Sequence, residues 1–236
     1  GMADLEHNIQ MAPEHVFGIG SMTKQFTAVG ILMLMEQGSL SLEDSITKYI
    51  TGYPTQGHAI TIHHLLNHTS GVKSYTELQK RRKIWRNDLT TQEMMDVFKD
   101  EPMDFAPGEQ WHYSNSGYFL LGVIIEEVSG MTYGEFVEKK IFEPLEMRNT
   151  YFGSHSRLIP NRAMGYQFGR ELRNAEYLSH TQPFSAGAIM STVDDLSKWQ
   201  RAIQSNTLVK KETIEKAFTN YPLNNGKPTY YGYGWM

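Results

Sequence analysis

The chain has 236 residues, 40% hydrophobic and 20% charged, which fits one folded domain or a domain with a subdomain. Its net charge is −4, from 22 basic and 26 acidic residues, which argues against nucleic acid as a partner. It contains 0 cysteines, which excludes disulfides, thiolate metal sites and a cysteine nucleophile. The longest apolar stretch, Ala28 to Met35, is too short to span a membrane, and no signal peptide is visible.

In chain order, residues 1–20 read as strand then loop. Ser21 to Gln37 is predicted to be a helix stopped by Gly38 at the first position beyond its cap. A connector follows, and Thr61 caps a short helix through Asn67. Thr90 with Glu93 is a capping box that opens a helix to about Lys99. Pro107-Gly108 breaks the chain before a turn-rich loop. Ser116 to Val128 is an apolar helix closed by Gly130, and Thr132 with Glu135 opens another that ends by Pro144. Tyr151 to Gly169 alternates loosely and carries short strands. Thr192 caps a helix through Ile203, Lys211 to Phe218 is a further helix, and Tyr230 to Trp235 reads as a strand. Helices in the middle and strands near both ends predict an antiparallel sheet with a helical subdomain, roughly residues 58–190, set into it. The site is expected at the junction.

Two motifs carry chemistry. In Gly18-Ile19-Gly20-Ser21-Met22-Thr23-Lys24, glycines lead into a serine and an apolar helix follows the lysine. Residues three apart on a helix share a face, so the Lys24 amine reaches the Ser21 hydroxyl. A serine hydroxyl needs a base to become a nucleophile, and a lysine serves when burial lowers its pKa. The spacing alone is weak evidence, because Ser45…Lys48 and Ser70…Lys73 repeat it without a buried helix behind them. Locally, Ser21 also fits a helix N-cap with a solvated lysine. The second motif is Tyr113-Ser114-Asn115, at the end of the loop after Pro107-Gly108. A tyrosine hydroxyl can relay protons, and an asparagine amide can both donate to and accept from a substrate amide. An aromatic loop anchor followed by an Asn or Ser cap fits the same residues.

Together, Ser21-Met-Thr-Lys24 and Tyr113-Ser-Asn115 resemble the penicillin-recognising serine hydrolases, in their class C β-lactamase-like branch with its D,D-peptidases and esterases. His64-Leu-Leu-Asn-His68-Thr-Ser-Gly71, Phe142 to Met147 and Ala186 to Asp195 are similar too, so the resemblance runs from about Ala12 to Trp235. It implies an α/β (α+β) fold of the β-lactamase/transpeptidase type and an acyl-enzyme mechanism on an amide, lactam or ester carbonyl. It makes Ser21 the nucleophile, Lys24 its proton partner, Tyr113 the shuttle to the leaving group, and Asn115 the group that holds Lys24 and the substrate amide. The Ser21 N–H becomes one half of the oxyanion hole. Partners are a β-lactam, a D-Ala peptide or a small ester, with no cofactor, metal or nucleic acid. The resemblance also suggests a periplasmic or secreted setting.

The family's third motif, Lys-Thr-Gly or His-x-Gly, does not follow Tyr113, and the first strand and leading helix are not recognisable ahead of residue 1. Residues 1–236 are therefore expected to form a single incomplete domain with terminal strands missing. A non-catalytic sensor or scaffold of the same family is the alternative reading. Other clusters read more simply as structure. His63, His64 and His68 lack the glutamate of a zinc helix and brace the helix end. Glu126-Glu127 and Asp194-Asp195 diverge on helices and serve capping or solvation. Lys80 to Lys83 with Arg86 form a solvated face. Trp111, Tyr75 and Trp85 are open to a pocket role or to plain packing.

Overall fold

The structure, a computed structural model, describes residues 1–236. Strands β1 (Met2–Asp4) and β2 (Ile9–Gln10) pair antiparallel as a separate two-stranded sheet. β3 (Phe17–Gly18) delivers the chain to a 3-10 turn at Gly20–Met22, which runs into α1 (Thr23–Glu36). Gly20 sits at φ +52°, a left-handed conformation that costs glycine little, and this turns the strand into the helix. Ten of the 14 residues of α1 are buried, so it is a core helix rather than an amphipathic surface one.

Next come α2 (Ile62–Leu66), α3 (Thr91–Asp96), α4 (Asn115–Ser129) and α5 (Tyr133–Val137). Capping boxes open α2, α3 and α5, and the Ser114 side chain caps α4 by accepting from the Gly117 N–H. Gly130, at φ +67°, ends α4 in the left-handed conformation. α5 continues as one widened turn over Glu138–Phe142 before Pro144. Then follow β4 (Tyr151–Phe152), β5 (Tyr166–Phe168), β6 (Leu172–Asn174), α6 (Phe184–Gly187), β7 (Ile189–Ser191), α7 (Val193–Gln204) and α8 (Lys211–Phe218).

The central sheet is three-stranded and antiparallel, in the order β3-β7-β4. Phe17 faces Ser191, and Met190 lies between Gly18 and Tyr151. Beyond the strands the pairing continues into the site. The Ile19 N–H donates to the Ile189 carbonyl (3.0 Å), and the Ile189 N–H donates to Thr23 Oγ1 (3.1 Å). The start of α1 and the segment after α6 are thereby fixed to each other. One cluster of 41 buried apolar residues joins α1, α2, α4, α5, α7 and α8. Within it Phe26 stacks on Trp199 with ring centroids 4.0 Å apart. Side chains of this kind each contribute about 1.5–3 kcal/mol on burial.

The structure departs from the sequence reading in the strands. They are two or three residues long; β4 and β5 fall in the 151–169 stretch expected to carry short strands, whereas β6 and β7, between 172 and 191, were not anticipated. Tyr230–Trp235 is not a strand. Tyr230 (φ +56°) and Gly234 (φ +84°) break the extended run, and the Tyr233 N–H donates to the Ala217 carbonyl (2.9 Å) at the end of α8. Tyr233 instead seats its hydroxyl 2.7 Å from His63 Nδ1 and stacks on Tyr221 at 4.7 Å. The helical stretches shift by only a few residues. The main change is at Ser21, which occupies the 3-10 turn before α1 rather than the helix proper.

Candidate active site

The turn at Gly20–Met22 presents Ser21 to solvent, while Lys24, one turn on, is buried with 1% exposure. Ser21 caps nothing: the N-cap residue of α1 is Met22, and no side-chain cap bond is made there. Lys24 Nζ lies 3.3 Å from Ser21 Oγ. It also lies 2.8 Å from Asn115 Oδ1 and 2.8 Å from the Ala186 carbonyl oxygen. The second motif reaches it from α4. Asn115 is the first residue of that helix, and Tyr113 lies just before its Ser114 cap. The Lys24 Nζ sits over the Tyr113 ring, 4.7 Å from its centroid, and 5.4 Å from that of Tyr118. All four residues singled out in the sequence thus meet in one place.

Electrostatics follow from burial. Taking an ammonium out of water disfavours its charge, and burial lowers the Lys24 pKa from 10.5 to about 7. Burial raises the Tyr113 phenol above its ordinary value, with the neighbouring Ser21 hydroxyl opposing the shift. Near neutral pH, therefore, Lys24 can give up its proton while Tyr113 keeps its own. A neutral lysine amine has two N–H donors and one lone pair. Asn115 Oδ1 and the Ala186 carbonyl are acceptors, so they take the two hydrogens. The lone pair is left for the third neighbour, the Ser21 hydroxyl. The Ser21 N–H comes before the first closed turn of the 3-10 segment and so lacks a helical partner.

Three supports were not legible in the sequence. The Ala186 carbonyl is a backbone group, so no side chain signals it. Thr76 Oγ1 takes the other end of the Asn115 amide at 3.2 Å, which fixes its oxygen toward Lys24. His68, noticed in the sequence as one of three clustered histidines and within a stretch that carries the family resemblance but given no role at the site, packs against Tyr113 with centroids 4.4 Å apart.

Comparison with known proteins identifies the family and the fold. The family described as Beta-lactamase matches residues 1–236. The chain belongs to the Beta-lactamase family. It is 34% identical over 252 residues to "Penicillin-binding protein 4*" of Bacillus subtilis (strain 168), covering 100% of this chain and 55% of that protein. Among solved structures it resembles a penicillin binding protein from Bacillus halodurans. That match has a TM-score of 0.85 at 30% identity and covers 99% of this chain and 72% of the other. A D-amino acid amidase from Ochrobactrum anthropi SV3, complexed with L-phenylalanine, matches with a TM-score of 0.84 at 29% identity, over 93% of this chain and 64% of the other. The chain spans about half the length of the curated relatives it matches. Its α/β architecture of helices around an antiparallel sheet is the β-lactamase/transpeptidase fold.

Within this family member the other Ser-x-x-Lys spacings are occupied elsewhere. Ser45 caps Thr47 and Lys48 pairs with Asp44 at 2.8 Å, while Lys73 pairs with Asp104. His64 forms part of the α2 capping box with Thr61. His63 bonds Tyr233 and Asn67. Glu126 accepts from the Tyr133 N–H (2.8 Å), and burial raises its pKa. Asp195 accepts from the Asn149 N–H and Thr150. Glu77, Asp104 and His112 come close together, but Lys73 lies among the carboxylates and pairs with both. In the basic segment Lys80 pairs with Glu101, and Arg81 lies over the Tyr75 ring, which is buried. Trp111 is half-exposed beside His68 and Tyr231, whereas the Trp85 carbonyl accepts from the Ser179 N–H.

Proposed function

We propose that this chain carries the acyl-transfer site of a serine hydrolase that works through an acyl-enzyme. The observation that carries the reading is the set of three oxygens around Lys24 Nζ, two acceptors at 2.8 Å and the Ser21 hydroxyl at 3.3 Å. Lys24 takes the Ser21 proton as Oγ bonds to the substrate carbonyl carbon. The carbonyl oxygen becomes an oxyanion near the Ser21 N–H, at the start of the helical segment where the backbone dipoles favour negative charge. The bond to the leaving group then breaks as the Tyr113 hydroxyl protonates the departing atom, and the Lys24 ammonium restores the Tyr113 proton. Water releases the acyl group by the reverse proton traffic. Asn115 holds Lys24 through Oδ1, and in this reading the second N–H of its amide serves the substrate amide.

Substrates of this reading are D-configured amides and peptides, β-lactams and small esters. Relatives named as penicillin-binding proteins and a D-amino acid amidase support the amide and β-lactam part of that range. The test is turnover of a D-Ala-D-Ala peptide, D-phenylalanine amide, benzylpenicillin and 4-nitrophenyl acetate by the chain and by Ser21→Ala. Turnover of one or more of these, lost in the variant, supports the reading. Turnover that is unchanged in Ser21→Ala overturns it.

A further inference from the structure

The residue on either side of Tyr113 is tied to one and the same side of the fold. The His112 N–H donates to the His68 carbonyl (3.0 Å), and the Ser114 N–H donates to His68 Nδ1 (3.1 Å). Between these two bonds the Tyr113 ring lies against the His68 imidazole, 4.4 Å away and tilted by 38°. His68 is wholly buried, and its ring is boxed in by Tyr118 at 5.0 Å and Tyr231 at 4.7 Å. Three contacts from one residue therefore set both backbone flanks and the ring plane of Tyr113. We propose that His68 is the positioning residue for Tyr113, fixing the angle at which its phenol meets the leaving group.

The hydrogen-bond pattern defines how it does so. Because Ser114 donates to Nδ1, that nitrogen carries no proton, and the neutral ring keeps its hydrogen on Nε2. A protonated ring would lose the Ser114 bond and set a second cation near Lys24. Burial, with the charges of Lys24 and His112 added, keeps His68 neutral well below its ordinary value. The backbone at His68 has φ +63°, a conformation that asparagine also tolerates. Asparagine places its Oδ1 where histidine has Nδ1. His68→Asn therefore keeps the acceptor for Ser114 and removes the rest of the ring, on which Tyr113 rests and which also packs against Tyr118 and Tyr231. Nε2 has no protein partner, so its removal breaks no bond within the protein.

The inference rests on the serine-hydrolase reading, and the test separates the two. Rates of acylation are measured on a series of acetate esters, from 4-nitrophenyl to alkyl, with leaving groups of rising basicity. The 4-nitrophenolate leaves without a proton and alkoxides do not. Tyr113→Phe is expected to lose about 100-fold or more on alkyl esters and little on 4-nitrophenyl acetate. His68→Asn is expected to reproduce that pattern, and the double variant is expected to be no worse than Tyr113→Phe alone. Retained rates on 4-nitrophenyl acetate show that the fold, Ser21 and Lys24 are intact. Should the asparagine variant fail to fold, His68→Phe keeps a planar ring and removes the Ser114 bond, and it is expected to show the same selective loss. If Tyr113→Phe is selective but the folded His68 variant loses equally on every ester, or loses nothing, the positioning role is overturned and the hydrolase reading stands. If Tyr113→Phe itself shows no selectivity, the leaving-group role of Tyr113 and the positioning role of His68 are both overturned, while the Ser21–Lys24 reading is decided separately by Ser21→Ala.

Discussion

Lys24 is the residue on which the site depends, and its chemistry makes two predictions. Only the neutral amine can accept the Ser21 proton, so kcat/KM is expected to rise with pH through about 7 and level off above it. A rising limb near 10.5 would mean that burial does not tune this lysine. The second prediction concerns stability. Between pH 7 and 10.5 the unfolded chain holds a proton on Lys24 that the folded chain lacks, so unfolding takes up a proton there and becomes harder as pH rises. Lys24→Met removes this dependence. The stability of the natural chain relative to the variant is expected to rise by about 2–3 kcal/mol between pH 7 and 9, read from urea unfolding at each pH. The Ser21–Lys24 pairing was legible because it spans three residues of one helical turn. The partners that orient it were not, since the Ala186 carbonyl lies 162 residues from Lys24, and Thr76 lies 39 residues from Asn115. Sequence spacing carries no information about such approaches.

At the level of elements, the site depends on how closely α4 and α6 pack, because one carries Asn115 and the other the Ala186 carbonyl. Gly122 permits that approach: a Cβ there would come within 2.2 Å of Ser185 Oγ and 2.6 Å of Phe184 Cε1. Gly122→Ala is expected to cost about 1–3 kcal/mol by overpacking, seen as a lower urea midpoint, and to reduce the acylation rate by displacing α6. An unchanged midpoint and rate would show that the contact is loose. Helix starts were readable because their signal is local. The capping boxes at Thr90 and Thr132 appear in the structure with both reciprocal bonds. Strands of two or three residues are too short to display a period of two, so β6 and β7 left little trace in the pattern. The run from Tyr230 to Trp235 misled for the converse reason. Its aromatics alternate as in a strand, yet they alternate into the cluster beneath α8 rather than across a sheet.

For the whole molecule, a single cluster of 41 buried residues links the helix that carries Lys24 to nearly every other helix. Unfolding is therefore expected to be one cooperative transition, with far-ultraviolet and near-ultraviolet circular dichroism coinciding along a urea titration. Separated transitions would contradict a shared core. The order of predicted elements gave an antiparallel sheet with helices set into it, and the resemblance carried by the two motifs gave the specific fold. The central claim, that Ser21 is a nucleophile activated by Lys24, is tested most directly by intact mass after exposure to a fluorophosphonate or a fluorescent penicillin. One adduct on the natural chain, absent from Ser21→Ala, is the predicted result. A natural chain left unmodified by both probes, or an adduct that persists in Ser21→Ala, would contradict it.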